Sequence, residues 1–241
     1  RLLDVYRLRH IVTPEVVALG VASNVRADEL YQFSPDIEEF LDPFTGVSVG
    51  VRQWWQTYRG AADYRQSVDL ARLNVAAVFF DDTKDPALPA DGRMFYSRGE
   101  YSLTRNALNG DFVFNLSDAT ALLGDMNYDL NDHEIGLADL GVAVQRDPRY
   151  RWYLGTRYID DLESWVWTAG LNYRLSSKYE LSAFQQYDID FDNGRNLQSR
   201  VSLIRKFPRL YVALSVVVDA TTNDTSVLLT LWPEGIPEWR I

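Results

Sequence analysis

Between residues 167 and 175 the chain alternates without a break. Trp167, Ala169, Leu171, Tyr173 and Leu175 are apolar, and Thr168, Gly170, Asn172 and Arg174 between them are polar or glycine. A period of two belongs to a β-strand with one apolar and one polar face. The rhythm returns at residues 211–218, where Val212, Leu214, Val216 and Val218 make a continuous apolar face and the other face is mixed. It returns again at 179–187, where Tyr179, Leu181 and Ala183 oppose Glu180, Ser182 and Gln186, with tyrosines at both ends. Serial alternating strands with aromatic ends predict a sheet whose outer face meets lipid. The alternative is a soluble β-sandwich or closed barrel whose core is packed by the same residues.

Turn residues divide the pattern into about a dozen strands. The first is predicted over 9–22, interrupted by Pro14, which marks an edge or a bulge. Strands follow over 45–58 and 64–80, joined at Gly60, and then near 93–106, 111–117, 120–130, 134–146, 150–159, 163–175, 178–190, 197–207, 209–219 and 225–232. Asn109-Gly110 and Asn193-Gly194 carry the signature of type I′ hairpin turns, and Ser176-Ser177 and Asn223-Asp224 mark further tight turns. Residues 23–44 and 81–92 are acidic and proline-containing and read as long loops. Helical periodicity is confined to residues 35–41. Short turns alternating with longer polar loops predict an all-β, antiparallel, up-and-down transmembrane β-barrel, or a segment of a larger one, forming a single domain over 1–241.

Composition narrows this picture only in places. With 46% hydrophobic and 13% aromatic residues the chain has material for a real core and is not a disordered protein. No apolar run approaches the roughly 20 residues of a membrane helix, so a membrane form would be built from strands. The mean hydropathy of −0.23 fits a soluble protein and a barrel with a polar lumen equally well. A net charge of −10 is the wrong sign for nucleic-acid binding. The absence of cysteine excludes disulfides, thiolate catalysis and thiolate metal sites within these residues. Opening at Arg1, the chain reads as a mature product or a fragment.

Candidate chemistry is sparse. Gly46-Val47-Ser48-Val49-Gly50 matches the nucleophile pattern of serine hydrolases, with His10 and His133 as the two possible bases. That motif works on a sharp strand-to-helix turn, whereas here Val47, Ser48 and Val49 alternate as in an ordinary strand. A barrel-borne lipid hydrolase using Ser48 is therefore the weakest of the functional readings. Asp125, Asn127 and Asp129 begin like a calcium loop, but Leu130 stands where glycine is required and Gly136 stands at the twelfth position. A polar strand face running into a turn explains them better. Asp188, Asp190 and Asp192 put three carboxylates on one face before the Asn193-Gly194 turn, which reads as an exposed rim open to adventitious divalent cations. No phosphate loop, dinucleotide fingerprint or zinc-protease motif is present. The expectation is a protein without enzymatic activity, catalytic residues, cofactor or resident metal.

Several strings resemble a known family. Leu8-Arg9-His10-Ile11-Val12-Thr13-Pro14 resembles the segment that opens the second half of the barrel in the LPS-assembly (LptD, organic solvent tolerance) family. Trp55-Gln56-Thr57-Tyr58-Arg59 is similar to the end of a strand in that family, and Tyr179-Glu180-Leu181, Gln185-Gln186-Tyr187-Asp188 and Arg205-Lys206-Phe207-Pro208 resemble its late hairpins. The chain departs from the family pattern at Gln53-Trp54-Trp55 and Tyr58, and it lacks the cysteines that join barrel to periplasmic domain in familiar members. The resemblance implies the C-terminal part of a larger barrel in the outer membrane of a Gram-negative-type bacterium. It also implies membrane lipids and lipopolysaccharide as partners, with a plug lipoprotein and a periplasmic lipid-bridge protein. The function implied is insertion of lipopolysaccharide, or a similar lipid, into the outer leaflet, with no covalent bond broken. Pro233 and Pro237 would suit a weakly paired seam between first and last strands, or would simply end the last strand. The alternative function is a small outer-membrane pore or structural barrel of about 10–12 strands.

Overall fold

The computed structural model describes residues 5–22, 44–61, 63–81, 105–146, 149–160, 164–189, 194–220 and 223–235. They form twelve strands: β1 (Arg9–Val21), β2 (Phe44–Arg59), β3 (Gln66–Phe80), β4 (Ala107–Ser117), β5 (Thr120–Asp129), β6 (Ile135–Arg146), β7 (Tyr150–Ile159), β8 (Ser164–Arg174), β9 (Tyr179–Asp188), β10 (Arg195–Phe207), β11 (Leu210–Asp219) and β12 (Asp224–Pro233). The strand order in the sheet is the order in the sequence, β1 through β12, so every strand is hydrogen-bonded to its neighbours along the chain. The fold is all-β, antiparallel and up-and-down, the connectivity from which β-barrels are made.

Local chemistry sets the boundaries. The β10–β11 hairpin turns on two residues, Pro208 and Arg209, with Arg209 in the left-handed region at φ 65°. Asn223, at φ 53°, closes the β11–β12 connection; asparagine tolerates that region because its short side chain can bond locally. At the β8–β9 turn the Leu175 and Ser176 amides both donate to the Tyr179 carbonyl, and the Ser176 hydroxyl accepts from the Lys178 and Tyr179 amides. Pro14 lies inside β1, opposite Val51. Because β1 is the terminal strand of the order, a proline there disturbs one ladder and not two. Bulges interrupt β2/β3 at Trp55/Gln56 and β9/β10 at Asn196/Gln198.

One predicted turn is not a turn. Asn109 and Gly110 sit within β4. The Asn109 side chain is 1% exposed and accepts a hydrogen bond from the Asn127 amide, a partner 18 residues away. A buried polar group needs such a partner, and this long-range bond outweighs the local turn preference. The expected strand at 93–106, except Arg105 and Asn106, lies outside the described residues. So do the Asn193-Gly194 turn apart from Gly194, the 35–41 helical segment, and the long loops at 23–44 and 81–92 except Phe44 and Asp81.

The chain divides into two compact units. The N-terminal unit holds residues 5–112 and 125–136, and the C-terminal unit holds 113–124 and 137–241. In each, the shielded residues on one face of the sheet include small and polar side chains beside a large ring, Phe80 in the first and Trp232 in the second. Ser48 and Val78 are buried in the first, and Ser202, Ala213, Ser215 and Val217 in the second.

Candidate functional site: an apolar face with aromatic rims and a polar face

In the C-terminal unit the ladder register places side chains in rows across the strands, because directly paired residues point to the same side of a sheet. One row runs Trp152–Leu171–Ala183–Val201–Val216–Val227 from β7 to β12. Every member is apolar. The next row continues Tyr173–Leu181–Leu203–Leu214–Leu229 from β8 to β12. These side chains are not covered: Val227 is 68% exposed, Leu229 65% and Leu214 52%.

Aromatic rings bound this surface at both ends. Tyr158–Trp165 and Trp167–Tyr187 are cross-strand pairs at one end, and Tyr150–Tyr173 is a pair at the other, near Tyr179 and Phe207. Trp165 donates its indole N–H to the Thr156 hydroxyl, so a polar group on this face is satisfied within it. Tyr150 and Tyr158 are eight residues apart on β7, about 26 Å of extended strand, the order of the ~25 Å apolar band of an outer-membrane barrel.

The opposite face is polar and internally bonded. Arg157 makes a two-pronged contact to its cross-strand partner Asp139, Nε–Oδ1 at 2.8 Å and Nη2–Oδ2 at 2.7 Å. Ser202 and Ser215, paired across β10 and β11, share a hydrogen bond of 2.7 Å. Tyr153 leans over two glycines on this face, Gly155 on its own strand and Gly141 on β6. A Cβ added to Gly141 would meet the Tyr153 hydroxyl at 2.7 Å.

The N-terminal unit repeats the division. Val16, Val49 and Ala77 form one apolar row, and Val47 and Phe79 another, with Val16 69% exposed. On the other face Arg52 meets Glu15 at 2.5 Å, and Asn74 donates to Asp111 at 2.8 Å. The Arg72 guanidinium lies 4.4 Å from the Trp54 ring centroid and pairs with Asp69.

The residues singled out from the sequence fall as follows. Ser48 lies in the ladder of β2, opposite Val17 and Val78, and is 6% exposed. No nucleophile elbow forms there. His10 stacks on Trp55 at 4.6 Å, seven residues along β2 from Ser48 and thus about 23 Å away. His133 belongs to the β5–β6 turn at φ 61°. The structure does not bring Ser48 together with His10. Asp125, Asn127 and Asp129 alternate along β5 and are buried together. Asn127 is bonded to Asn109, and Asp129 accepts from the amides of Asn131 and Asp132 and lies 3.5 Å from Arg105. Among the described residues no group of three or more acidic, histidine or cysteine side chains could hold a metal ion. Asp188 is buried at the end of β9, within 3.5 Å of the Ser164 hydroxyl, whereas Asp190 and Asp192 lie outside the described residues. Pro233 is the last residue of β12, paired with Leu210, and Pro237 lies outside the described residues.

Two features had no counterpart in the sequence reading, the tyrosine over two glycines and a cluster of cations at one end of the polar face. Both depend on register across hairpins. No helix among the described residues is long and apolar enough to cross a membrane, so any crossing by this part of the chain would be made by strands. No family model matches the chain, and no curated protein matches it.

Proposed function

We propose that this chain forms wall of an outer-membrane β-barrel that assembles lipopolysaccharide, or a similar lipid, into the outer leaflet. The observation that carries the membrane part is the uncovered aliphatic surface of β10–β12. Eight Val and Leu side chains there (Val201, Leu203, Leu214, Val216, Val218, Val227, Leu229 and Leu231) average roughly half exposure. In water that leaves on the order of 10 kcal/mol of burial unrealised, comparable to the entire net stability of a domain. In hydrocarbon the same surface is solvated and the aromatic rims sit at the headgroups.

The lipid-assembly part rests on the resemblance and on where its strings fall. They occupy the start of β1, the end of β2, β9 and the β10–β11 hairpin. The work asked of such a wall is physical: a polar face for sugar and phosphate, an apolar face for acyl chains, and a seam through which both pass sideways. β1 and β12 are the ends of the strand order. Pro14 in β1 and Pro233 at the end of β12 each remove a ladder donor, which suits a weak seam. A small self-contained barrel is the second reading, favoured by the strand order among the described residues, in which each strand is paired with its neighbours in sequence.

Two measurements test this. Far-UV circular dichroism in micelles and in plain buffer, with heated and unheated SDS-PAGE, is expected to give a heat-modifiable β-rich species only in micelles. A monomeric β protein in plain buffer would overturn the membrane reading. Complete folding in micelles by this chain alone favours the small barrel, and incomplete folding favours a segment of a larger one. A photo-crosslinking residue at Val227, in cells, is expected to capture lipopolysaccharide; its absence from the products, with other lipids captured, removes the assembly role.

A further inference from the structure

The polar face of the C-terminal unit ends in a concave pocket of about 260 Å³ beside the β8–β9 and β10–β11 turns. The register explains its composition. Arg151 pairs with Asn172, Arg174 with Glu180, Glu180 with Ile204, and Lys206 with Tyr211. All lie on the side of the sheet that carries Ser202 and Ser215, since they stand an even number of residues from those serines or from their partners. Arg149 and Lys178 reach the same pocket from the adjoining turns. Five cations, Arg149, Arg151, Arg174, Lys178 and Lys206, therefore line it together with one carboxylate, Glu180.

These cations are not equally engaged. Lys206 Nζ lies 2.8 Å from Glu234 Oε1, Arg174 Nε donates to the Ser176 carbonyl at 3.2 Å, and Arg151 holds other contacts. Arg149 and Lys178 have no ion pair among the described residues. A concave surface with like charges focuses potential and attracts the opposite charge. Guanidinium groups match phosphate oxygens two at a time, and an ammonium adds a point charge. Asn172 and Tyr211 add neutral donors on the same walls. Against five cations stand Glu180 on the wall and Glu234 on Lys206, which leaves an excess of three positive charges, so the match is a group with more charge and more oxygens than a single carboxylate. The volume falls just below the roughly 300–1,000 Å³ of pockets that engulf a drug-sized ligand, which fits a compact headgroup and not a whole amphiphile.

We propose that this pocket is a binding site for a phosphate-bearing anion, held by Arg149, Arg174 and Lys178 with Asn172 and Tyr211 beside them. The proposal stands on the geometry of this end of the sheet and does not need the lipid-assembly role. The ligand chemistry could come from a free oligophosphate or from the phosphate of a lipid headgroup, and the test separates them. Inorganic pyrophosphate is titrated calorimetrically into the folded full chain, in plain buffer or zwitterionic micelles, whichever supports the β-rich state. In parallel, a lipid phosphomonoester and its dephosphorylated counterpart are titrated from mixed micelles.

The expected result is saturable binding that weakens about tenfold or more in the double variant Arg149→Gln/Lys178→Gln. The Arg205→Gln variant, on the other face of β10, is expected to bind as the wild type does. Circular dichroism checks that each variant folds, and neither exchanged pocket cation holds an ion pair among the described residues. Pyrophosphate binding assigns a free-anion site, and binding of the phosphomonoester alone assigns a headgroup site. Binding of neither, equal binding of the dephosphorylated lipid, or equal loss in the Arg205 variant would overturn the proposal.

Discussion

On β11, Leu214 and Ser215 are adjacent in sequence and opposite in circumstance. Leu214 is 52% exposed among other aliphatic side chains, and Ser215 is 8% exposed and hydrogen-bonded to Ser202. A water-soluble sheet buries its aliphatic face and exposes its hydroxyls. Here the two faces have exchanged places. The N-terminal unit makes the same exchange at Val49 and Ser48, one 49% exposed and the other 6%. On the proposed membrane reading, the medium around the sheet decides which face is shielded.

The sharpest way to break this comparison is to put a charge on the aliphatic face. Leu214→Arg is expected to destabilise the protein in lipid vesicles by about 2–4 kcal/mol, the cost of arginine near a bilayer midplane. Guanidinium titration of vesicle-bound protein measures it, and a change within about 0.5 kcal/mol, the usual range for a residue facing water, would break the comparison. On the other face, Ser215→Ala leaves the buried Ser202 hydroxyl without its partner and is expected to cost about 1 kcal/mol. The double variant Ser202→Ala/Ser215→Ala is expected to come closer to the wild type than either single one, because no orphan remains. The same titration detects it.

The smallest effect concerns the rim. The hydrogen bond from Lys206, together with its charge, holds the Glu234 carboxyl below its ordinary value near 4.5. A carboxylate with a lower value in the folded state contributes stability above its unfolded value, and that contribution is lost as pH falls through the folded one. Glu234→Gln is therefore expected to flatten the stability profile only below about pH 4.5, and slightly, since both partners are about half exposed. A flattening near neutral pH would point to a different group.

Residues 134–219 were legible almost strand by strand, because alternation with one continuous apolar face leaves few competing registers. Hairpins at Ser176-Ser177 and before Asp224 followed from turn chemistry that is local. Asn109-Gly110 has the same local chemistry and was misread because its deciding contact comes from Asn127 on another strand. The bulges at Trp55/Gln56 and Asn196/Gln198 left no signal in the pattern. The basic pocket was hidden for a related reason. Arg149, Arg174, Lys178 and Lys206 are scattered along the chain and meet only when hairpin register stacks the strand ends. Noting that each stands within about two residues of a turn at one end of the sheet would have exposed it.

Tyr153, Gly141 and Gly155 together make a single heritable unit. The ring covers backbone that two missing Cβ atoms leave bare, so the first glycine to gain a methyl group would dislodge it. Loss of the ring, in turn, would strip cover from both glycines at once. Either change alone breaks the contact, because the ring must swing aside for a new methyl group or leave both glycines bare. The three positions should therefore persist or disappear as a set while the aliphatic residues behind them exchange freely for one another. In a design setting the same trio is a place to leave alone, and the exposed aliphatic rows are the place to vary.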